Sequence, residues 1–175
     1  MWGFQRHDVL PDIVTLGKPM GNGLPIGGVI ARPDVLEKFG RTARYFNTFG
    51  GNPVCCAAAL AVLDVIRDEG LQKNARIVGE YLQAGLSRIA ATDERIGQVR
   101  GAGLFIGVDF VQDPKSREPD EATALAMVNQ LRRLRVLISA SGPLGHVLKI
   151  RPPLSFSKSD GDEFLDCFGR ALASL

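Results

Sequence analysis

Hydrophobic and polar positions follow strand-like spacing early in the chain and helix-like spacing after it. The β-branched, apolar run 12–16 predicts a buried strand covered on both faces, and residues 27–31 predict a second strand. Proline followed by an acid predicts a short helix over 33–39. An alanine-rich stretch predicts a longer helix over 54–68, with Gly70 as a natural C-cap.

The pattern changes again in the second half. A helix over 71–89 carries a stripe of apolar residues at helical spacing, which indicates core packing: Leu71, Ala75, Val78, Leu82 and Leu86. Strand-like residues broken by glycines over 96–110 predict a hairpin that opens a smaller α+β domain. The remaining predicted elements are a helix over 121–134, a strand over 136–139, an apolar strand ending at Arg151 and a helix over 160–172.

Composition limits the classes of function only modestly. The chain has 175 residues, of which 45% are hydrophobic and 23% charged, enough for one globular domain or for a piece of something larger. A net charge of +2 without a long run of one sign does not indicate nucleic acid or an anionic membrane as partner. No apolar run is long enough to span a membrane, and residues 1–7 lack the pattern of a secretory leader. Cys55, Cys56 and Cys167 are odd in number and lack metal-type spacing, which favours a reduced cytoplasmic location.

Lys18 is the strongest candidate for chemistry. It follows the first predicted strand directly and precedes Pro19 and a glycine-rich loop. We expect such a lysine to emerge from a rigid element into a tight, partly dry pocket, where desolvation disfavours the ammonium form and a neutral amine can form a Schiff base with a carbonyl. The alternative is an ordinary surface lysine beside a turn.

Two further stretches suggest anion binding. Residues 46–53 place Thr48, two glycines and free backbone N–H groups at a helix start, a composition that suits an anion site but also an ordinary capped loop. Arg151 ends a strand and is followed by two prolines, which suits a guanidinium held towards a carboxylate, or else a solvated or salt-bridged arginine.

Other sites are not supported. Gly101, Gly103 and Gly107 miss the dinucleotide-binding spacing by one residue, and no helix pattern follows them. Lys18 is followed by proline rather than Ser or Thr, so the phosphate-loop motif fails. His7 and His146 lie far apart without acidic neighbours at ligand spacing, so no metal site is predicted.

Five segments together resemble one family: MWGFQRH, PDIVTLGKPMGNGLPIGG, FNTFGGNP, VRGAGLFIGVDF and LKIRPPL. In this order they resemble the C-terminal part of class III pyridoxal-phosphate (PLP) aminotransferases, which have the α/β fold of the fold type I PLP-dependent transferases. The similarity is greatest to the subgroup of alanine–glyoxylate aminotransferase 2 and the ethanolamine-phosphate phospho-lyases. The resemblance implies a fragment: residues 1–70 from the end of the large PLP-binding domain, a connecting helix over 71–91, and a small C-terminal α+β domain over 92–175.

The resemblance also implies roles for individual residues. Lys18 would carry the PLP cofactor as an internal aldimine, and Thr48, with Phe49 beside it, would bind the cofactor phosphate of the neighbouring subunit in a homodimer. Arg151 would bind the substrate carboxylate, which favours a transaminase because some phospho-lyases have lysine there. The implied substrates are an amino donor and a keto acid, and the fragment alone is expected to be inactive. A phospho-lyase acting on a phosphorylated amine and a non-catalytic structural module remain as alternatives.

Overall fold

The structure, a computed structural model, describes all 175 residues and divides into two compact units, Met1–Gly70 and Leu71–Leu175. Gly70 lies between two long helices with φ of 62°, a left-handed conformation that costs glycine little. The helix over 71–90, expected as a connector, belongs to the second unit. None of the helices combines the length and apolar character needed to cross a bilayer.

The first unit contains two strands, two helices and two short 3-10 turns. Strands β1 (Ile13–Leu16) and β2 (Gly28–Ala31) form an antiparallel pair, followed by helices α1 (Pro33–Thr42) and α2 (Pro53–Asp68). The turns cover Gly3–His7 and Lys18–Gly21. Helix α1 runs three residues beyond the predicted end.

The prediction that the first strand is buried on both faces was wrong for this unit. Along β1, exposed positions alternate with half-buried ones, and β2 is its only partner strand. Ala59 is the only fully buried apolar side chain in the unit. Two strands and two helices of these lengths do not enclose a core, so much of the apolar surface of the unit faces outwards.

The second unit combines helices with an antiparallel sheet, and it begins at Leu71, whereas the sequence predicts a small α+β domain over 92–175. It consists of α3 (Leu71–Ala90), β3 (Ile96–Ala102), β4 (Phe105–Phe110), α4 (Glu121–Arg133), β5 (Ser139–Ser141), β6 (Val147–Ile150) and α5 (Lys158–Ala173). The four strands are antiparallel in the order β3-β4-β6-β5.

The core of the second unit lies between the sheet and its helices. In β4 the residues Ile106, Val108 and Phe110 are buried at period two, while the intervening positions face away from the core. Helix α3 contributes Leu82 and Leu86, both inaccessible to solvent. Burial of this kind stabilises the unit by about 25 cal/mol for each Å² of apolar surface removed from water.

The predicted strand over 136–139 was wrong in position, because β5 begins only at Ser139. Arg135 has φ of 66°, and the Val136 N–H donates to the Leu131 carbonyl at 2.9 Å, so the chain here is still closing the end of α4. Leu137 is 87% exposed, so the apolar residues over 136–138 do not mark a buried strand.

Candidate active site

Lys18 lies in an unusual backbone conformation at the exit of β1. It is the first residue of the short turn Lys18–Gly21 and has φ of 50°, which is uncommon for a residue with a Cβ. The Asn22 N–H donates to the Pro19 carbonyl at 3.0 Å, and Gly21 packs so closely that a Cβ there would lie 2.8 Å from Ile26. Backbone outliers of this kind concentrate at functional sites, so the geometry favours a functional lysine.

The surroundings of Lys18 differ from the sequence prediction. Its side chain is exposed and makes no ion pair within the chain. The expectation of a tight, partly dry pocket was therefore wrong for this unit, because nothing in it covers the Lys18 side chain. The Lys18 turn does pack against helix α2, so it is held by the same unit that carries Thr48.

Two asparagine side chains pair with backbone donors in the loop before α2 and in the first turn of that helix. The Asn47 side-chain oxygen accepts from the Phe49 and Gly50 N–H groups at 3.1 and 3.0 Å. The Asn52 side-chain oxygen accepts from the Val54 and Cys55 N–H groups at 3.0 and 3.2 Å, as an N-cap does. The prediction of free N–H groups at the helix start was therefore wrong, because Asn52 satisfies them.

Donors without a partner remain in the middle of this loop. The N–H groups of Thr48 and Gly51 and the Thr48 hydroxyl have no hydrogen-bond partner within the chain. Gly51 has φ of 69°, so its backbone adopts a conformation that favours glycine. Three donors on one exposed turn can hold an anion such as a phosphate.

A cavity of about 200 Å³ lies behind the same loop. The residues that line it include Ile26, Phe49, Cys55 and Cys56, all within the first unit. Neither Lys18 nor Thr48 lines it. Phe49 thus borders the cavity although its side chain is 79% exposed, and Thr48 is exposed without bordering it.

Arg151 lies in the second unit, immediately after β6. It is exposed, makes no ion pair within the chain, and borders a cavity of about 530 Å³ with mostly apolar walls. Pro152, Pro153 and Phe156 form one wall of that cavity. A free guanidinium beside an apolar cavity can bind the anionic end of a small molecule while the cavity takes its apolar part.

Lys149 also borders this cavity, and the sequence reasoning missed it. It is half-buried in β6, and Ser139 lies opposite it on β5. The sequence prediction of a strand ending at Arg151 places Lys149 and Arg151 two residues apart, a spacing at which strand side chains share a face and which could have pointed to the pair; in the structure β6 ends at Ile150, and both residues line the cavity. Two cations that border one cavity can hold an anion of higher charge than a single carboxylate.

The loop from Arg151 to helix α5 is fixed at its far end by a capping box. The Ser157 N–H and hydroxyl both donate to the Asp160 carboxylate at 2.8 Å, and the Asp160 N–H donates back to the Ser157 hydroxyl at 3.2 Å. The donation from the Ser157 backbone lowers the pKa of the Asp160 carboxyl below its ordinary value. The charged form of Asp160 thus keeps the start of α5 in place.

Comparison with known proteins gives one consistent family. The model of the family described as aminotransferase class-III matches residues 1–172. A curated relative in Drosophila melanogaster, named alanine–glyoxylate aminotransferase 2-like, is 47% identical over 99% of this chain. Another in Caenorhabditis elegans, named ethanolamine-phosphate phospho-lyase homolog 1, is 44% identical over 91% of it.

A solved structure agrees with these sequence relatives. A phospholyase from Arthrobacter, in complex with phosphoethanolamine, superposes with a TM-score of 0.95 at 45% identity over 100% of this chain. The chain covers 42% of that protein and 36% and 35% of the two curated relatives. It therefore spans little more than a third of the length of the curated relatives it matches.

Proposed function

The chain belongs to the class-III aminotransferase family, and from that premise we propose that it is the C-terminal part of a PLP-dependent aminotransferase of fold type I. Such an enzyme moves an amino group from an amino acid or amine to a keto acid. The observation that carries the proposal is the family match over residues 1–172, within which Lys18 has an exposed amine on a left-handed turn. Residues 1–70 would belong to the large domain and 92–175 to the small domain, joined by the helix over 71–91.

The residues of the first unit fit the cofactor in two respects. The three unpaired donors at Thr48 and Gly51 suit a phosphate, and the Lys18 amine has no competing ion pair. When bound, PLP supplies an aldehyde and an electron-withdrawing ring. We assign to Lys18 the covalent attachment of that aldehyde, and then the removal and return of the proton on the substrate carbon that bears the amine.

An exposed amine needs further protein around it for this chemistry, because a lysine must lose its proton before it acts as a nucleophile or base. We propose that this cover comes from the remainder of a protein as long as the relatives and from a second subunit. Thr48 and Phe49 would then contact the cofactor phosphate across a two-fold homodimer interface. The 175-residue chain alone is expected to bind PLP weakly and to lack useful turnover.

Arg151 would hold the substrate carboxylate. Its guanidinium is free of ion pairs and follows a strand that is paired to β4 up to Ile150. A planar guanidinium can donate two parallel hydrogen bonds to a carboxylate, which orients the amine as well as binding the acid.

Three free thiols support a reduced, cytoplasmic location.

One observation favours the phospho-lyase alternative. Lys149 lies beside Arg151 at the same cavity, and a pair of cations suits a phosphate monoester dianion better than a single carboxylate. Both activities would use the same lysine and cofactor. The two relatives named phospho-lyase or phospholyase make this the main competing reaction.

The two reactions are separated by their products. We expect a protein of the relatives' length that carries this sequence to form pyruvate from alanine and glyoxylate, and a Lys18→Ala variant to form none. Release of inorganic phosphate from phosphoethanolamine, without a keto acid from alanine, would establish the lyase instead. No turnover by a PLP-loaded protein of phosphoethanolamine, of alanine with glyoxylate, or of a panel of other amino donors and keto acids would contradict both proposals.

A further inference from the structure

Asn74 connects the first turn of α3 to the loop that follows Arg151. Its side-chain amide donates to the Leu154 carbonyl at 2.8 Å and to the Phe156 carbonyl at 3.0 Å. The bonds join residues 80 and 82 positions apart in the sequence. A terminal amide carries two N–H donors, so one asparagine can hold two carbonyls at once.

The loop has few other anchors near Arg151. Pro152 and Pro153 have no backbone N–H, so they cannot be fixed by donating to a neighbour. Within the loop, the Phe156 N–H donates to the Pro153 carbonyl at 3.0 Å. The other restraints are the pairing of β6 before Arg151, the packing of the Phe156 ring against the hydrophobic core, and the capping box at Ser157 after the loop.

Asn74 thus holds the backbone of a loop that forms part of the Arg151 cavity. Pro152, Pro153 and Phe156 line the cavity, and Phe156 also contributes one of the two carbonyls that Asn74 holds. A shift of the loop would move the cavity wall and the backbone that carries the guanidinium. Misplacement of a binding group by about 1 Å can cost about a hundredfold in rate.

We propose that Asn74 is a positioning residue for Arg151. By holding two carbonyls of the loop 152–156 against α3, it sets the direction in which the guanidinium meets the anionic group of a substrate. The inference rests on the proposed anion-binding role of Arg151 and adds the residue that fixes its geometry.

The test removes the two donors while keeping the fold. Asn74→Ala deletes the amide without adding charge, and Asn74→Asp keeps its shape but replaces the donors with acceptors. Asn129→Asp is the matched control, because the Asn129 amide donates only to the Leu125 carbonyl of its own helix, at 3.1 Å. Circular dichroism melting of each variant checks that the 175-residue chain remains folded.

The readout is the reactivity of Arg151 itself. Phenylglyoxal modifies exposed arginines, and peptide mass mapping gives the rate at Arg151, with Arg170 as an internal reference. Inorganic phosphate is the competing anion. We expect phosphate to protect Arg151 in the wild-type chain and in Asn129→Asp, and the phosphate concentration for half-protection to rise about tenfold in both Asn74 variants.

The outcomes separate this inference from the proposed function. Equal protection in wild type and Asn74→Ala would overturn the positioning role and leave the role of Arg151 intact. Loss confined to Asn74→Asp would also overturn it, because charge repulsion of the phosphate would then explain the effect. Absence of protection in the wild-type chain would overturn both the role of Arg151 and this inference. If Asn74→Asp does not fold, Asn74→Ala alone decides.

Discussion

Replacing Gly79 by alanine tests the close packing of α3 against the turn between β3 and β4, in the unit that also contains the Arg151 cavity. Gly79 is buried on α3, and a Cβ at this position would lie 2.1 Å from the Gly103 carbonyl oxygen and 2.3 Å from its carbon. These are backbone atoms of the turn between β3 and β4, so no side chain can rotate away. Gly103 itself has φ of 52°, which limits how the turn can adjust.

The magnitude follows from two opposing effects. Overpacking a close-packed site costs about 1–3 kcal/mol, and contact with backbone atoms places this one at the upper end. Alanine recovers about 1 kcal/mol of helix propensity relative to glycine. We therefore expect Gly79→Ala to lower the free energy of unfolding of the second unit by about 2 kcal/mol.

Gly169 provides the matched control. It lies within α5, and nothing is found within 4 Å of a Cβ built there. Only the propensity effect remains at this position, so Gly169→Ala should raise the free energy of unfolding by up to about 1 kcal/mol. The same substitution thus has opposite signs at the two sites.

Hydrogen exchange of the Val108 amide is a suitable assay, because Val108 lies at the centre of the sheet and reports opening of the second unit. A loss of about 2 kcal/mol corresponds to exchange about thirtyfold faster in Gly79→Ala. Exchange in Gly169→Ala should be unchanged or slower. Equal exchange rates in the two variants would refute the close approach of α3 to the β3–β4 turn.

Two further predictions concern capping and pH. Hydrogen bonds from the Arg95 guanidinium hold the pKa of the Asp93 carboxyl below its usual value. The charged Asp93 therefore stabilises the fold above a pH of about 4, and this contribution is lost as the pH falls through the lowered folded-state pKa. Asp93→Asn should therefore lower the melting temperature at neutral pH, with the difference from wild type closing in acid; a difference that is constant with pH would contradict this. Asn52→Ala should destabilise the start of α2 by about 1 kcal/mol. Hydrogen exchange of the Val54 and Cys55 amides should then become faster. Unchanged exchange would show that the Asn52 cap does not hold these amides.

The sequence pattern predicted most elements of the second unit because its helices and strands bury their apolar faces against one another in the same unit. The apolar stripe with Leu82 and Leu86 and the alternation ending at Phe110 describe two faces that pack together in the same unit. The strand expected over 136–139 failed because pairing with β6, rather than apolar character, decides where β5 begins. Such pairing is set by the partner strand and by the turn between the two strands, and not by the apolar character of one strand alone.

The first unit shows what a short sequence cannot determine. An apolar strand before Lys18 predicts burial, but burial requires neighbouring layers, and these 175 residues supply only β2 to that strand. The position of the Thr48 loop before a helix was predicted correctly. Which of the nearby backbone N–H groups are hydrogen-bonded depends on the Asn47 and Asn52 side chains, which accept from neighbouring residues. The composition alone did not distinguish free amides from capped ones.

Borohydride reduction followed by peptide mapping tests the central claim most directly. A protein of the relatives' length that carries this sequence is loaded with PLP, reduced and digested. We predict the pyridoxyl mass on the peptide that contains Lys18, and no stable label after the substitution Lys18→Ala. A label on a different lysine would contradict the assignment to Lys18. No label on a protein that has taken up the cofactor would also contradict it and would favour a non-catalytic module.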